Sequence, residues 1–243
     1  MKHDFSLTNP QATARMAGAL YLIIIILGIW SEAFVRSSLF VPDDPLGTAA
    51  NIIEAEGMFR LSMAADAIMV IADVALAATL FLLLRPVSAT LAMTAMLFRL
   101  IQAAIIGMNL LNQNAALAII NGGATLSGFD GAQVNALASL SLEMHGDGYD
   151  IGLIFFGVNS LITGALLYMS GYFPKTLGAM MIAAGLVYLT GSFLVLLAPE
   201  LSGPFSVAYG VPLLAETAFC LWLLIKGVNT RSKLRVSGGH AHA

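Results

Sequence analysis

Leu22-Ile23-Ile24-Ile25-Ile26-Leu27 is an unbroken succession of large apolar side chains. A barrel strand or a half-wet strand alternates apolar with polar positions, and this stretch does not. Followed outward, the apolar run reaches Met16 on one side and Val35 on the other. As a helix rising ~1.5 Å per residue, that is enough to cross ~30 Å of hydrocarbon. Runs of the same kind recur at Leu61–Leu84, Ala89–Leu111, Ile151–Met169, Leu177–Ala198 and Phe205–Ile225. The predicted fold class is therefore all-α, a polytopic membrane helix bundle with six transmembrane helices.

Composition agrees. The chain has 243 residues, of which 58% are hydrophobic and 10% charged, against ~45–50% and ~25% in soluble proteins. Mean hydropathy is +0.86. So few charges cannot coat a soluble domain of this size. The net charge of −3 and the lack of a basic stripe exclude nucleic acid as a partner. A lone cysteine, Cys220, excludes a disulfide scaffold. Arg15, the core Ala17–Gly28 and Ser31-Glu32-Ala33 imitate a cleaved secretory signal. The run is longer than a typical signal core and Glu32 is awkward at the cleavage position, so it is read as a retained span. One transmembrane domain is expected over residues 12–229, with polar, disordered tails at 1–11 and 230–243.

Lys and Arg set the orientation. With six spans, one side carries Lys2, Arg15, Arg85, Lys175, Lys226, Arg231, Lys233 and Arg235, and the other only Arg36 and Arg60. Both termini are expected in the cytoplasm. The cytoplasmic links at residues 85–88 and 170–176 are tight, and two outer links are long. In the first, Asp44-Pro45 reads as a helix start and Gly57 as a stop. In the second, Asp130 and Gln133 have capping-box spacing, Val134, Leu137, Leu140, Ser141 and Met144 follow at helical intervals, and Gly146 closes the segment. Short interfacial helices are predicted over Pro45–Glu56 and Asp130–His145.

From His145 onward the chain carries a recognisable series of motifs. These are the segment His145–Gly157, then Tyr168-Met169-Ser170-Gly171-Tyr172-Phe173-Pro174-Lys175-Thr176-Leu177-Gly178, Ala184–Leu189, and Glu216 ahead of Leu221–Gly227. Arg15–Gly18, Asn51–Arg60, Asp66 and Phe98-Arg99 fit as well. Together they resemble the bacterial integral-membrane family called domain of unknown function 4386, over roughly residues 12–229. The Ser-Gly-x-x-Pro-x-x-Leu-Gly turn is the most specific piece. The resemblance implies a six-span fold and no particular activity. Where that family often carries an acid after the third-span arginine, this chain has Gln102.

The chemistry available is narrow. The histidines are His3, His145, His240 and His242, and none falls inside a predicted span. That argues against a haem cytochrome with axial histidines and a rhomboid-like protease with a histidine base. No zinc-ligand cluster, P-loop or dinucleotide fingerprint occurs. Glu143, His145, Asp147 and Asp150 offer mixed ligand types but read first as a polar loop at the mouth of the fourth span. No cofactor or metal is expected.

Charges inside the spans are the informative residues, because each costs at least ~2.5–3.5 kcal/mol at mid-bilayer and so seeks a partner. They are Asp66 and Asp73 in the second span, Arg99 in the third and Glu216 in the sixth. Gln102, Asn109 and Gln113 fall on the arginine's side of the third span, and Asp66, Asp73, Arg99, Gln102, Asn109 and Glu216 are the candidate intramembrane network. Asp73 and Arg99 lie about 13 residues to either side of the tight 85–88 turn, which at ~1.5 Å per residue sets them at equal depth. Contact between them is predicted, with Glu216 at similar depth. Gly178, Gly185 and Ser192 repeat every seven residues on span five, which suits close helix packing. Pro212 is expected to kink span six.

Three functional readings follow. The adopted one is a structural, accessory or sensory membrane component in which buried ion pairs fix helix register. The alternative is a proton- or cation-coupled small-molecule transporter using Asp66, Asp73, Arg99 and Glu216. A lipid-modifying enzyme comes last, for want of a nucleophile, base or metal cluster. Beyond the lipid bilayer, the expected partner is a small molecule or another membrane protein.

Overall fold

Apolar runs without alternation become helices because each residue's backbone groups can then bond within the segment, which lipid requires. A computed structural model describes residues 9–122 and 126–229. Among them the regular elements are all helical. We name α1 Pro10–Leu39, α2 Pro45–Glu54, α3 Glu56–Leu84, α4 Ala89–Ile120, α5 Gly131–Ser170, α6 Lys175–Leu197 and α7 Pro199–Ile225. All except α2 are long and apolar enough to cross a membrane, which makes six spans. The tails expected at 1–11 and 230–243 fall mostly outside the described residues. Where they overlap, Pro10 and Gln11 already belong to α1, and Gln11 donates to the Lys226 carbonyl at 2.9 Å.

The first outer link folds as its residues direct. Asp44 caps α2 by accepting from the Gly47 amide at 2.9 Å, with Pro45 in the first turn where no amide donor is needed. The helix breaks at Ala55, two residues before Gly57. The second link departs from expectation. The capping box forms, with Asp130 N donating to Gln133 Oε1 at 3.0 Å and Gln133 N to Asp130 Oδ1 at 2.9 Å. However, the helix it starts runs for 40 residues, to Ser170. The segment expected to be helical up to His145 is helical, but among the described residues it is the start of this long helix and not a separate interfacial one. Glycine costs a helix interior only about 1 kcal/mol relative to alanine. The expected stop, Gly146, lies inside this helix, and Gly148 and Gly152 beyond it are contact points. A Cβ on Gly148 would stand 2.7 Å from Asn109 Cγ, and one on Gly152 would stand 3.1 Å from Ile106 Cγ1.

The chain's packing falls into two units. Among the described residues, the first draws on 9–22, 73–101 and 153–229. Its α5 and α6 meet through glycine on both sides. A Cβ on Gly164 would lie 2.7 Å from the Gly178 carbonyl oxygen, and one on Gly185 would lie 2.8 Å from that of Gly157. The seven-residue spacing of Gly178 and Gly185 thus mates with that of Gly157 and Gly164. Cβ atoms would prevent this approach. In α7, Pro212, where a kink was expected, lies beyond the irregular part of the span. The irregular stretch precedes it, with 3-10 turns at Pro199–Leu201 and Ser206–Tyr209. Pro212 sits in the first turn of the α-helical part, Gly210–Ile225, where its missing amide removes little.

Among the described residues, the second unit comprises 23–72, 102–122 and 126–152. Its core gathers Val35, Leu39, Ile52, Phe59 and Leu117. Here α1 changes character: Trp30–Arg36 is π-helical. A π-helix bonds i to i+5 and recurs at functional positions. Its wider turn places Arg36 at a different angle around the axis than an α-helix would.

Candidate intramembrane polar clusters

In the first unit, the tight 85–88 turn makes α3 and α4 antiparallel neighbours and brings Asp73 and Arg99 into the predicted contact. Arg99 donates to Asp73 Oδ1 through Nε at 2.7 Å and Nη2 at 2.5 Å. The two side chains are 2% and 6% exposed, so this is a buried ion pair. The guanidinium also lies over two rings, 5.2 Å from the Tyr21 centroid and 5.0 Å from that of Phe156. Such contacts are strongest where water is excluded.

Glu216, half-buried on α7, takes two phenol hydroxyls. Tyr188 donates to Oε1 at 2.5 Å and Tyr21 to Oε2 at 3.1 Å. Tyr21 therefore joins the carboxylate to the arginine, presenting its hydroxyl to one and its ring face to the other. Around them Tyr21 packs edge-on against Phe219 at 6.0 Å, and Phe156 against Tyr188 at 5.2 Å. Arg99, Asn159 and Thr163 line a cavity of about 10 Å³, room for roughly one water. Thr163 donates to Asn159 Oδ1 at 3.3 Å, while Asn159 Nδ2 is buried without a partner.

Asp66, Gln102 and Asn109 lie in the second unit. Gln102 is buried. Asp66 pairs with Arg36 through its Oδ2, and the same oxygen accepts from Gln113 Nε2 at 3.3 Å. Arg36 also holds Glu32, one turn earlier, at 2.8 Å. Gln113 Nε2 reaches His145 Nε2 at 2.8 Å, and His145 Nδ1 faces the Asn109 carbonyl at 3.2 Å. Asn109 answers with its side-chain amide on the His145 carbonyl at 2.6 Å and accepts from Asn112 at 2.8 Å.

Two members of this cluster escape a reading from sequence. Arg36 follows the end of an apolar run and looks like a loop charge, yet its side chain is only 11% exposed. The one available signal was the i,i+4 spacing of Glu32 and Arg36. His145 looks like a loop histidine ahead of a glycine stop, yet it lies within α5 and is 6% exposed. It turns to α4 and not to Glu143 or Asp147, both exposed on its own helix. Among the described residues no group of three or more His, Cys, Asp or Glu is placed to hold a metal.

Comparison with known proteins places the chain. A protein of Archaeoglobus fulgidus described as uncharacterized is 34% identical over 161 residues, which is 66% of this chain and 80% of the relative. No solved structure matches. A family profile described as domain of unknown function (DUF4386) matches residues 16–227, through all six spans. The chain belongs to the DUF4386 family of membrane-spanning helical proteins.

Proposed function

We propose that this protein is a structural, accessory or sensory component of a bacterial cytoplasmic membrane, with both termini inside. In it the Asp73–Arg99–Tyr21–Glu216–Tyr188 cluster holds helices in register. The observation that carries the reading is the closed environment of Arg99. Its charge is met by Asp73, its faces are covered by Tyr21 and Phe156, and the cavity beside it is about 10 Å³. Such space suits a water and no metabolite. Buried polar pairs of this kind specify one arrangement of helices over others.

A double-mutant comparison tests it. Removing one partner strands a charge and costs about 3–5 kcal/mol. Arg99→Leu and Asp73→Leu should each lower the melting temperature sharply, and the double variant should recover much of the loss. Full additivity of the two losses overturns the pairing.

A second reading has one observation in its favour: acids outnumber bases in this cluster, with Asp73 and Glu216 against Arg99. That is material for proton coupling. Proton flux in proteoliposomes that disappears in Glu216→Gln would replace the structural reading with transport.

A further inference from the structure

We propose that His145, Gln113, Asp66 and Arg36 form a proton-binding site, occupied at the His145 ring through a half-turn of the Gln113 amide. The argument starts from hydrogen-bond bookkeeping. His145 Nδ1 faces the Asn109 carbonyl, which only accepts, so Nδ1 carries a hydrogen. His145 Nε2 faces the Gln113 amide nitrogen, which only donates, so Nε2 is the acceptor. The ring is therefore neutral. Gln113 spends its two amide hydrogens on His145 and on Asp66 Oδ2.

Two oxygens of this cluster are left over. Gln113 Oε1 and Asp66 Oδ1 are buried without a partner, and their residues are 0% and 2% exposed. A buried orphan acceptor costs about 1–3 kcal/mol. Among donors that could relieve it, a proton is the one that requires no cavity.

The step balances simply. A hydronium ion on the outer side gives its proton to the Nε2 lone pair: one O–H bond breaks, one N–H bond forms, and the products are the imidazolium and a water. Nε2 is then a donor facing a donor, so the amide rotates about its terminal torsion. Its oxygen and nitrogen are nearly the same size, so the exchange needs little space. Gln113 Oε1 now accepts from His145, and the orphan is satisfied by a charge-assisted bond. The turn gives up the 3.3 Å bond from the amide nitrogen to Asp66 Oδ2, and Asp66 Oδ1, unpartnered in the same cluster, is the carboxylate oxygen left to receive that nitrogen. Asp66 keeps Arg36.

Of the surrounding charges, Asp66 and Glu32 favour a proton on the ring and Arg36 opposes it. The groups acting on the ring are Arg36 and Glu32 from α1 and Asp66 from α3, while α4 presents only the amides of Asn109 and Gln113. Glu143 and Asp147 on α5 itself are exposed. Arg36, Glu32 and Asp66 leave one surplus negative charge beside a neutral ring and balance an imidazolium.

The test is nitrogen NMR of the whole protein in nanodiscs, labelled at histidine and glutamine, with His145 and Gln113 assigned by loss of their signals in His145→Gln and Gln113→Leu. At high pH the ring should show the Nδ1–H tautomer. On acidification the ring and the Gln113 side-chain amide should shift together with one midpoint. A ring that stays neutral down to pH 4 overturns the proposal. So does a ring that titrates while the Gln113 amide stands still. In Gln113→Leu the midpoint should fall by up to about one pH unit, because the bond lost is stronger to the charged ring than to the neutral one. An unchanged midpoint in the folded variant refutes the role of the amide. If that variant does not fold, the joint titration in the unmodified protein decides.

Discussion

Arg36 and Arg60 look alike in the sequence, each one turn after a glutamate, and the structure separates them. Arg60 is 58% exposed and holds Glu56 at the surface. Arg36 is 11% exposed and holds Asp66, itself 3% exposed. Surface pairs contribute ~0–1 kcal/mol, whereas stranding a buried charge costs about 3–5 kcal/mol. Arg60→Gln should leave the thermal midpoint in detergent almost unchanged, and Arg36→Gln should lower it strongly. Equal effects would mean that Asp66 does not depend on Arg36. At Glu216 the measure is finer. Tyr188→Phe removes the shorter of its two hydrogen bonds and Tyr21→Phe the longer, 2.5 Å against 3.1 Å. Each should cost about 1–3 kcal/mol by leaving a carboxylate oxygen short of a donor. Tyr21→Phe should keep the ring over Arg99, so a loss far above that range would show that the hydroxyl does more than bond Glu216.

Among the elements, α5 gives the sharpest contrast, because its glycines do opposite things. Gly164 and Gly157 touch the backbone of α6, where any Cβ collides. Gly164→Ala should destabilise by about 1–3 kcal/mol, the usual cost of overpacking. Gly146 has no atom within 4 Å of an added Cβ and lies inside a continuous helix. Gly146→Ala should therefore stabilise by roughly 0.5–1 kcal/mol through helix propensity and reduced freedom of the unfolded chain. Thermal unfolding of the two variants side by side checks both signs. Destabilisation by Gly146→Ala would mean that α5 is broken there, as the glycine had suggested from sequence.

For the whole molecule the expectation to test is topology. Lys and Arg crowd the side that carries the termini, which argues that this side faces the cytoplasm. The native Cys220 is buried, so single cysteines can be introduced elsewhere as probes. In intact cells Arg235→Cys should resist a membrane-impermeant thiol reagent, and Asp130→Cys should react. The reverse pattern would invert the bundle and with it the side from which His145 receives its proton.

Much of this was legible in the residues alone, and the division follows a physical line. The number of spans, their helical state and the caps at Asp44 and Asp130 depend on neighbours along the chain, so composition and spacing suffice. The Asp73–Arg99 pair was legible because a tight turn sets the register of two adjacent antiparallel helices. Gly178 and Gly185 marked a close packing face for the same local reason, though only the structure supplied Gly157 and Gly164 opposite them. Register between helices joined by long links, or far apart in the chain, has no such ruler. Tertiary structure therefore decided that Asp66 goes to Arg36, that Glu216 is met by Tyr21 and Tyr188, and that His145 is buried against Asn109 and Gln113. It also decided that α5 runs through its glycines, because packing against α4 outweighs a propensity cost of about 1 kcal/mol per residue. The sequence determined which groups would need partners in the membrane, and the fold determined which partners they found.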